Sequence, residues 1–222
     1  PLTFGTIVGR NVGEYFDTFR RTPMNDWHIK RKAQFENVGQ WKRAWYYPKN
    51  NEKMYDAVQR ESKAARESAG ILDASTLGKI DIQGTDASEF LNRVYTNAWS
   101  KLAIGKCRYG LMLNEDGMVY DDGVTTRLDE NHYIMTTTTG GAANVLGKLE
   151  DYLQTEWPEL DVYLSSVTDH YATASVCGPS SKKILNKMIP DLDLSDESFP
   201  HMSFKNTKID NIKCRIMRIS FT

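Results

Sequence analysis

An α+β fold is predicted from the kind and order of periodic segments in this 222-residue chain. Strand-like and helix-like runs alternate irregularly, and several neighbouring strands are joined by a turn rather than by a crossover helix. Hydrophobic residues make up 40% and charged residues 26%, a balance that supports an ordinary packed core. The length suits one large or two small domains. The segments divide into a loop-rich aromatic opening over 1–50, a first strand–helix subdomain over 51–158 and a second over 159–222.

In the opening, Trp41, Trp45, Tyr46 and Tyr47 read as packing anchors rather than a stacking platform. Lys and Arg outnumber Asp and Glu between Arg20 and Arg66. That excess is either a solvated face or a functional one, a docking surface or one that steers an anionic ligand. Asn51 to Ser68 reads as a helix, with Met54, Ala57, Val58, Ala64 and Ala65 on one stripe and Gly70 as its stop. Leu77 to Gln83 reads as a strand, and Thr85 to Val94 as a helix with Thr85 or Asp86 near its cap.

Tyr109 to Leu113 and Val119 to Arg127 read as strands around the turn Asn114-Glu115-Asp116-Gly117, where Gly117 is free to take φ > 0. His132 to Thr138 is extended, since its threonines are β-branched. Gly140-Gly141 leads into a helix from Ala142 to Thr155, striped by Val145, Leu146, Leu149 and Leu153. Leu160 to Ser166 and Tyr171 to Cys177 read as strands. Gly178-Pro179 opens a helix through Met188, and Asp191 to Glu197 is an acidic loop. Ser203 to Ile209 and Lys213 to Phe221 are the last strands. The recurring strand–helix–strand order suggests two similar subdomains, although no sequence repeat supports it.

Several function classes are disfavoured. A net charge of −1 argues against nucleic acid as the main partner. No apolar run approaches membrane-spanning length. Cys107, Cys177 and Cys214 are far apart with no Cys-x-x-Cys, so each reads as a small buried hydrophobe, and a cytoplasmic setting fits. His28, His132, His170 and His201 lack metal-ligand spacing. Gly178-Pro-Ser-Ser-Lys-Lys lacks the second glycine of a P-loop, and Gly9-x-x-x-Gly13 follows no Rossmann strand. Flavin and nicotinamide sites are therefore not expected in this chain. Pro1-Leu2-Thr3-Phe4 is neither an initiator nor a signal peptide and reads as a cut from something longer.

The most informative stretch is Asn114 to Gly123, with Asp121 and Asp122 adjacent at the start of the return strand. Neighbouring strand residues face opposite sides, so one aspartate points inward while the other meets water. An inward aspartate is costly unless something uses it. Thr139-Gly140-Gly141 before a helix reads as a strand end with a cap, or less simply as an anion site with free amides.

The wording Tyr-Gly-x-x-Leu-Asn-Glu-x-Gly-x-x-x-Asp-Asp over Tyr109 to Asp122 resembles the folate-site hairpin of the aminomethyltransferase superfamily, which includes the glycine-cleavage T-protein. Phe4-Gly5, Gly9-Arg10, Thr22-Pro23-Met24, the run Phe35 to Pro48, Gly70 to Lys79 and Thr136 to Gly141 are similar to the branch holding the α subunit of heterotetrameric sarcosine oxidase. The resemblance implies the aminomethyltransferase folate-binding fold: two similar subdomains with antiparallel sheets, the second incomplete here. It implies that Asp122 contacts the reactive nitrogens of tetrahydrofolate and acts catalytically, with Tyr109 and Leu77 walling the pocket. Asp121, facing the other way, would matter less.

In that family Arg-x-Ser-Phe-Thr runs on into a Gly-Glu-x-Gly segment whose glutamate recognises the pteridine. This chain stops at Thr222, so it is expected to lack that glutamate and a C-terminal barrel. The implied function is transfer of the one-carbon unit of oxidised sarcosine to tetrahydrofolate, with other sarcosine oxidase subunits as partners and flavin and NAD held only elsewhere in the complex. The isolated chain would then be inactive. A free-standing aminomethyltransferase or another folate-dependent demethylase is the alternative enzyme, separated by whether a flavin subunit is present. A non-catalytic folate-binding or docking module is the third reading, separated by folate affinity without turnover.

Overall fold

A computed structural model describes residues 18–220. Phe4-Gly5, Gly9-Arg10, Gly9-x-x-x-Gly13 and Phe221 lie outside the described residues. In chain order the elements are β1 (Arg20–Arg21), α1 (Asn25–Lys30), β2 (Gln34–Val38), β3 (Trp41–Tyr46), α2 (Met54–Glu67), β4 (Gly70–Asp73), β5 (Gly78–Gln83) and α3 (Ala87–Val94). Then come β6 (Cys107–Leu113), β7 (Val119–Asp129), β8 (His132–Thr137), α4 (Ala142–Asp151), β9 (Tyr163–Ser166), β10 (Ala174–Cys177), α5 (Ser181–Met188), β11 (Ser203–Ile209) and β12 (Ile212–Arg218). Helices and antiparallel sheets together make this the predicted α+β class.

The centre is a five-stranded sheet in the order β6-β7-β8-β5-β9, antiparallel at every pairing. One face carries the core. Ile80 and Ile82 alternate along β5 and are buried against Tyr133 and Met135 of β8 and Met112 of β6. Ala87, Phe90 and Leu91 of α3, at i, i+3 and i+4, and Val145 and Leu149 of α4, at i and i+4, close that face with the spacing of amphipathic helices. Each such side chain is worth about 1.5–3 kcal/mol when fully buried, so this layer dominates the apolar stabilisation. The α4 helix runs on as a π-helical turn over Tyr152–Glu156, where the sequence reads simply as more helix.

Smaller sheets flank the centre: β1-β3-β2, β4 with β10, and β11 with β12. Both β9 and β10 pair with strands from before residue 84, because β9 takes the outer edge of β5 and β10 takes β4. The β11–β12 hairpin is attached to β6 through the Cys107 amide, which donates to the Met202 carbonyl at 2.8 Å.

Several expectations need correction. Residues 18–50 are more regular than a loop-rich reading allows, since β2 and β3 form a hairpin and α1 precedes it. Gly70 does not stop α2; it begins β4, opposite Cys177, where a Cβ would lie 3.1 Å from the Ala65 Cβ. Asp86 occupies the N-cap position of α3 as expected, but neither it nor Thr85 makes a side-chain cap bond, because both are bonded to Asp161: Thr85 Oγ1 donates to its carboxylate at 3.0 Å, and Asp86 Oδ2 accepts its amide at 2.9 Å. Of the cysteines only Cys107 is buried; Cys177 is exposed and Cys214 half-buried.

Charge buried in the core fastens the opening segment to the rest. His28 of α1 is 2% exposed, and its Nε2 lies 2.8 Å from Asp73 Oδ2 at the end of β4. Its Nδ1 lies 2.6 Å from the Tyr47 hydroxyl. Burial, with the charges of Asp73 and Glu61, pushes the Tyr47 phenol up to about 12. Burial alone would raise the Asp73 carboxyl, yet hydrogen bonds from Ser75, Thr22 and His28 outweigh it and hold it below its ordinary value. Removing the partner of a buried carboxylate leaves its charge uncompensated and costs about 3–5 kcal/mol. His28→Ala is therefore expected to lower unfolding free energy by at least about 3 kcal/mol at neutral pH, read from denaturant midpoints. A loss near zero would mean that the Asp73 charge is compensated without His28.

Candidate functional site

The β6–β7 hairpin places the two aspartates. Its turn is closed by the Gly117 amide donating to the Asn114 carbonyl at 2.9 Å, with Gly117 at φ 80° as its sequence allows. The register then sets Asp121 opposite Met112 and Asp122 opposite Leu111. Met112 belongs to the core, so Asp121 turns inward and is 4% exposed. Asp122 lies on the other face and is half-buried.

The same register brings Tyr109 to Asp122. Tyr109 pairs with Val124, two residues along β7, so Tyr109 and Asp122 are diagonal neighbours on one face. The Tyr109 hydroxyl donates to Asp122 Oδ2 at 2.8 Å. That bond, more than burial, pushes the Tyr109 phenol up. Gly123 lets the strands approach here: a Cβ on it would meet the Thr136 carbonyl oxygen at 1.9 Å.

Leu77 sits in the bend that starts β5, two strands from β7 across β8, and is half-buried. Its amide donates to the Ala74 carbonyl at 3.3 Å. Two of the three residues picked from the sequence therefore touch, while Leu77 makes no hydrogen bond to either of them. Two cavities, of about 290 Å³ beside Arg93 and Trp157 and about 190 Å³ beside Ser75 and Tyr171, are not lined by these three residues.

Sequence reasoning missed the role of the threonine run, read only as extended chain. Thr136 Oγ1 accepts the Val124 amide at 2.9 Å and donates back to the Val124 carbonyl at 3.1 Å, tying β8 to β7. Thr138 bonds Asp121, its hydroxyl donating to Oδ1 at 2.5 Å and its amide to Oδ2 at 3.2 Å. Thr139 Oγ1 lies 3.0 Å from Thr76 Oγ1, in the loop that precedes Leu77. The Gly141 amide donates to Thr138 Oγ1 at 3.2 Å, which supports the cap reading of Thr139-Gly140-Gly141 over a free-amide anion site. Burial still pushes the Asp121 carboxyl up against these bonds, and the neighbouring Asp122 charge adds to the rise.

The basic excess between Arg20 and Arg66 is partly internal. Arg20 pairs with Asp169, Arg43 with Glu36 and Arg60 with Glu52. Trp41 is buried beneath the Arg20 guanidinium, as an anchor should be, whereas Trp45 is 50% exposed. Among the described residues, no group of three His, Cys, Asp or Glu side chains could hold a metal, and no helix is long and apolar enough to cross a membrane.

Residues 24–222 match the GCVT N-terminal domain family. The chain belongs to that family. Its relatives include sarcosine oxidase subunit alpha from Corynebacterium sp. (strain P-1), 55% identical over the whole of this chain, and that from Rhizobium meliloti (strain 1021), 45% identical over the whole chain. The chain spans 23% of the length of either relative. Among solved structures, glycine cleavage system aminomethyltransferase T from Bartonella henselae aligns with a TM-score of 0.75 at 24% identity, covering 91% of this chain and 51% of that one. That likeness establishes the fold expected from the hairpin wording.

In this GCVT N-terminal domain the loop before β5 is held by a buried lysine. Lys79 is 4% exposed, and its Nζ donates to the Leu77 carbonyl at 2.8 Å and the Ser75 carbonyl at 3.1 Å. Burial pulls its amine down to about 8, although Asp73 and Asp169 oppose the shift. Between that value and the ordinary lysine range the unfolded chain binds the extra proton, so stability rises with pH across that window. The wild type is expected to gain on the order of 1–2 kcal/mol between pH 8 and pH 10, and Lys79→Met to lose that slope, in denaturant titrations at stepped pH. A slope unchanged by the substitution would assign the rise to another group.

Proposed function

We propose that this chain is the folate-binding portion of the α subunit of a sarcosine oxidase, where the one-carbon unit of oxidised sarcosine passes to tetrahydrofolate. The observation that carries this reading is the Tyr109–Asp122 pair on the open face of the central sheet, at the two hairpin positions to which the family resemblance assigns folate contacts. The 55% identity to a sarcosine oxidase α subunit over the whole chain supports that branch over a free-standing aminomethyltransferase. Oxidation of the amine is assigned to flavin held elsewhere in the complex.

The site's residues suit such a ligand. Tyr109 is 37% exposed and offers a ring beside a carboxylate, an arrangement fitted to a flat heterocycle bearing N–H groups. Bound tetrahydrofolate supplies the nitrogen nucleophile. Asp122 accepts the proton which that nitrogen sheds, and its charge offsets the positive charge developing there. Because Oδ2 already accepts from Tyr109, Oδ1 is the oxygen left to take the proton. Tyr109, with its phenol held protonated by that bond, keeps the carboxylate in one orientation. Leu77 contributes an apolar wall from the start of β5.

Asp122→Asn keeps the shape and removes the base. In the complete enzyme the yield of methylenetetrahydrofolate is expected to fall by about 10²–10⁴-fold, the usual span of a general base. Flavin reduction by sarcosine should stay unchanged, with formaldehyde released in place of the folate product. Product partition with sarcosine and tetrahydrofolate present makes the measurement, and equal folate product from wild type and Asp122→Asn would remove Asp122 from the mechanism.

A further inference from the structure

The buried aspartate of the pair is the group that the chemistry above leaves unused. Asp121 has both carboxylate oxygens engaged by one residue, Thr138, through hydroxyl and amide. The Thr138 hydroxyl in turn accepts the Gly141 amide, so the chain leaving β8 and the first residue before α4 hang on this carboxylate. The fit is tight: a Cβ on Gly141 would come within 2.8 Å of Asp121 Oδ1 and 2.7 Å of Thr138 Oγ1. Asp121 is also the residue immediately before Asp122, on the same rigid strand.

We propose that Asp121 is a positioning residue for the folate-dependent step: with Thr138 it clamps the end of β8 against β7 and so fixes the backbone from which Asp122 projects. The sequence alone ranks Asp121 as the weaker acid–base candidate because it faces the other way; the clamp gives it a different role. The inference rests on the folate reading above. Its physical basis is that a reacting group displaced by about 1 Å can lose on the order of 10²-fold in rate, even when the change lies outside the reacting atoms.

Thr138 supplies the test, since its side chain is exposed and lies outside the apolar core cluster. Thr138→Val keeps the shape and removes the hydroxyl donor, and Thr138→Ser restores it. The complete sarcosine-oxidising complex is assayed with sarcosine and tetrahydrofolate for folate product, formaldehyde and flavin reduction. Thr138→Val is expected to lower turnover to methylenetetrahydrofolate roughly tenfold, with the apparent KM for tetrahydrofolate within about twofold and flavin reduction unchanged. Thr138→Ser should recover most of that loss. A wild-type folate yield from Thr138→Val overturns the clamp, as does an equal loss from Thr138→Ser or a loss confined to KM. The Asp122→Asn control separates the two readings. If it transfers like wild type, the general-base assignment falls and takes the clamp with it; if it is impaired while Thr138→Val transfers like wild type, the clamp alone falls.

Discussion

A carboxylate taken out of water must be met by donors, and in β7 that demand falls on Asp121. The alternation of a strand gives two adjacent aspartates opposite fates, and register with Met112 decides which one enters the core. Once Asp121 is inside, leaving it unmatched would cost several kcal/mol. Thr138 meets both oxygens, and much of the neighbouring architecture follows. The end of β8 is drawn onto β7, Gly123 admits the close approach, and α4 starts where Gly141 can reach the Thr138 hydroxyl.

The same requirement organises the other side of the sheet's end. Asp73 is matched by His28 and Ser75, and Lys79 by the carbonyls of Ser75 and Leu77. These contacts pin the loop between β4 and β5, which carries Leu77. The Thr76–Thr139 hydrogen bond joins that loop to the threonine run. Two buried polar systems, one around Asp73 and one around Asp121, are thus connected through two hydroxyls, and each candidate site residue is attached to one of them. Lysine and histidine in such places hold their surroundings by geometry more than by net energy, because desolvation offsets most of the attraction.

Much of this was legible in the sequence. The hairpin, its turn glycine, both core helices and all five central strands follow from periodicity and turn chemistry, with bounds that shift by a few residues. Strand β9 was visible as an element, but its place on the edge of β5 was not, because pairing over such a sequence distance leaves no local trace. The β2–β3 hairpin went unread because its strands are rich in charged and polar residues and present no clean apolar alternation. From the sequence His28 is read only as lacking metal-ligand spacing; tertiary packing alone gives it Asp73, 45 positions away. Thr85 and Asp86 have the chemistry of caps, but Asp161 competes for both. At the site, Tyr109 and Asp122 were accessible because the hairpin register is itself local. Thr138 was hidden inside a run that propensity explains equally well as plain strand.

Why Asp122 rather than Asp121 should carry the proton follows from the same geometry. A general base needs an oxygen that the ligand can reach and a lone pair not already committed. Asp121 lacks the access: it is 4% exposed, and each oxygen already accepts one hydrogen bond from Thr138. Its raised pKa, which in isolation would recommend it as the proton acceptor, arises chiefly from burial, the condition that also denies it a substrate. Asp122 commits one oxygen to Tyr109 and keeps the other, on the face turned away from the core. In the proposed mechanism access, rather than a carboxyl raised by burial, decides which aspartate takes the proton. There the buried partner would contribute through rigidity, since a proton acceptor helps only as far as its position is kept.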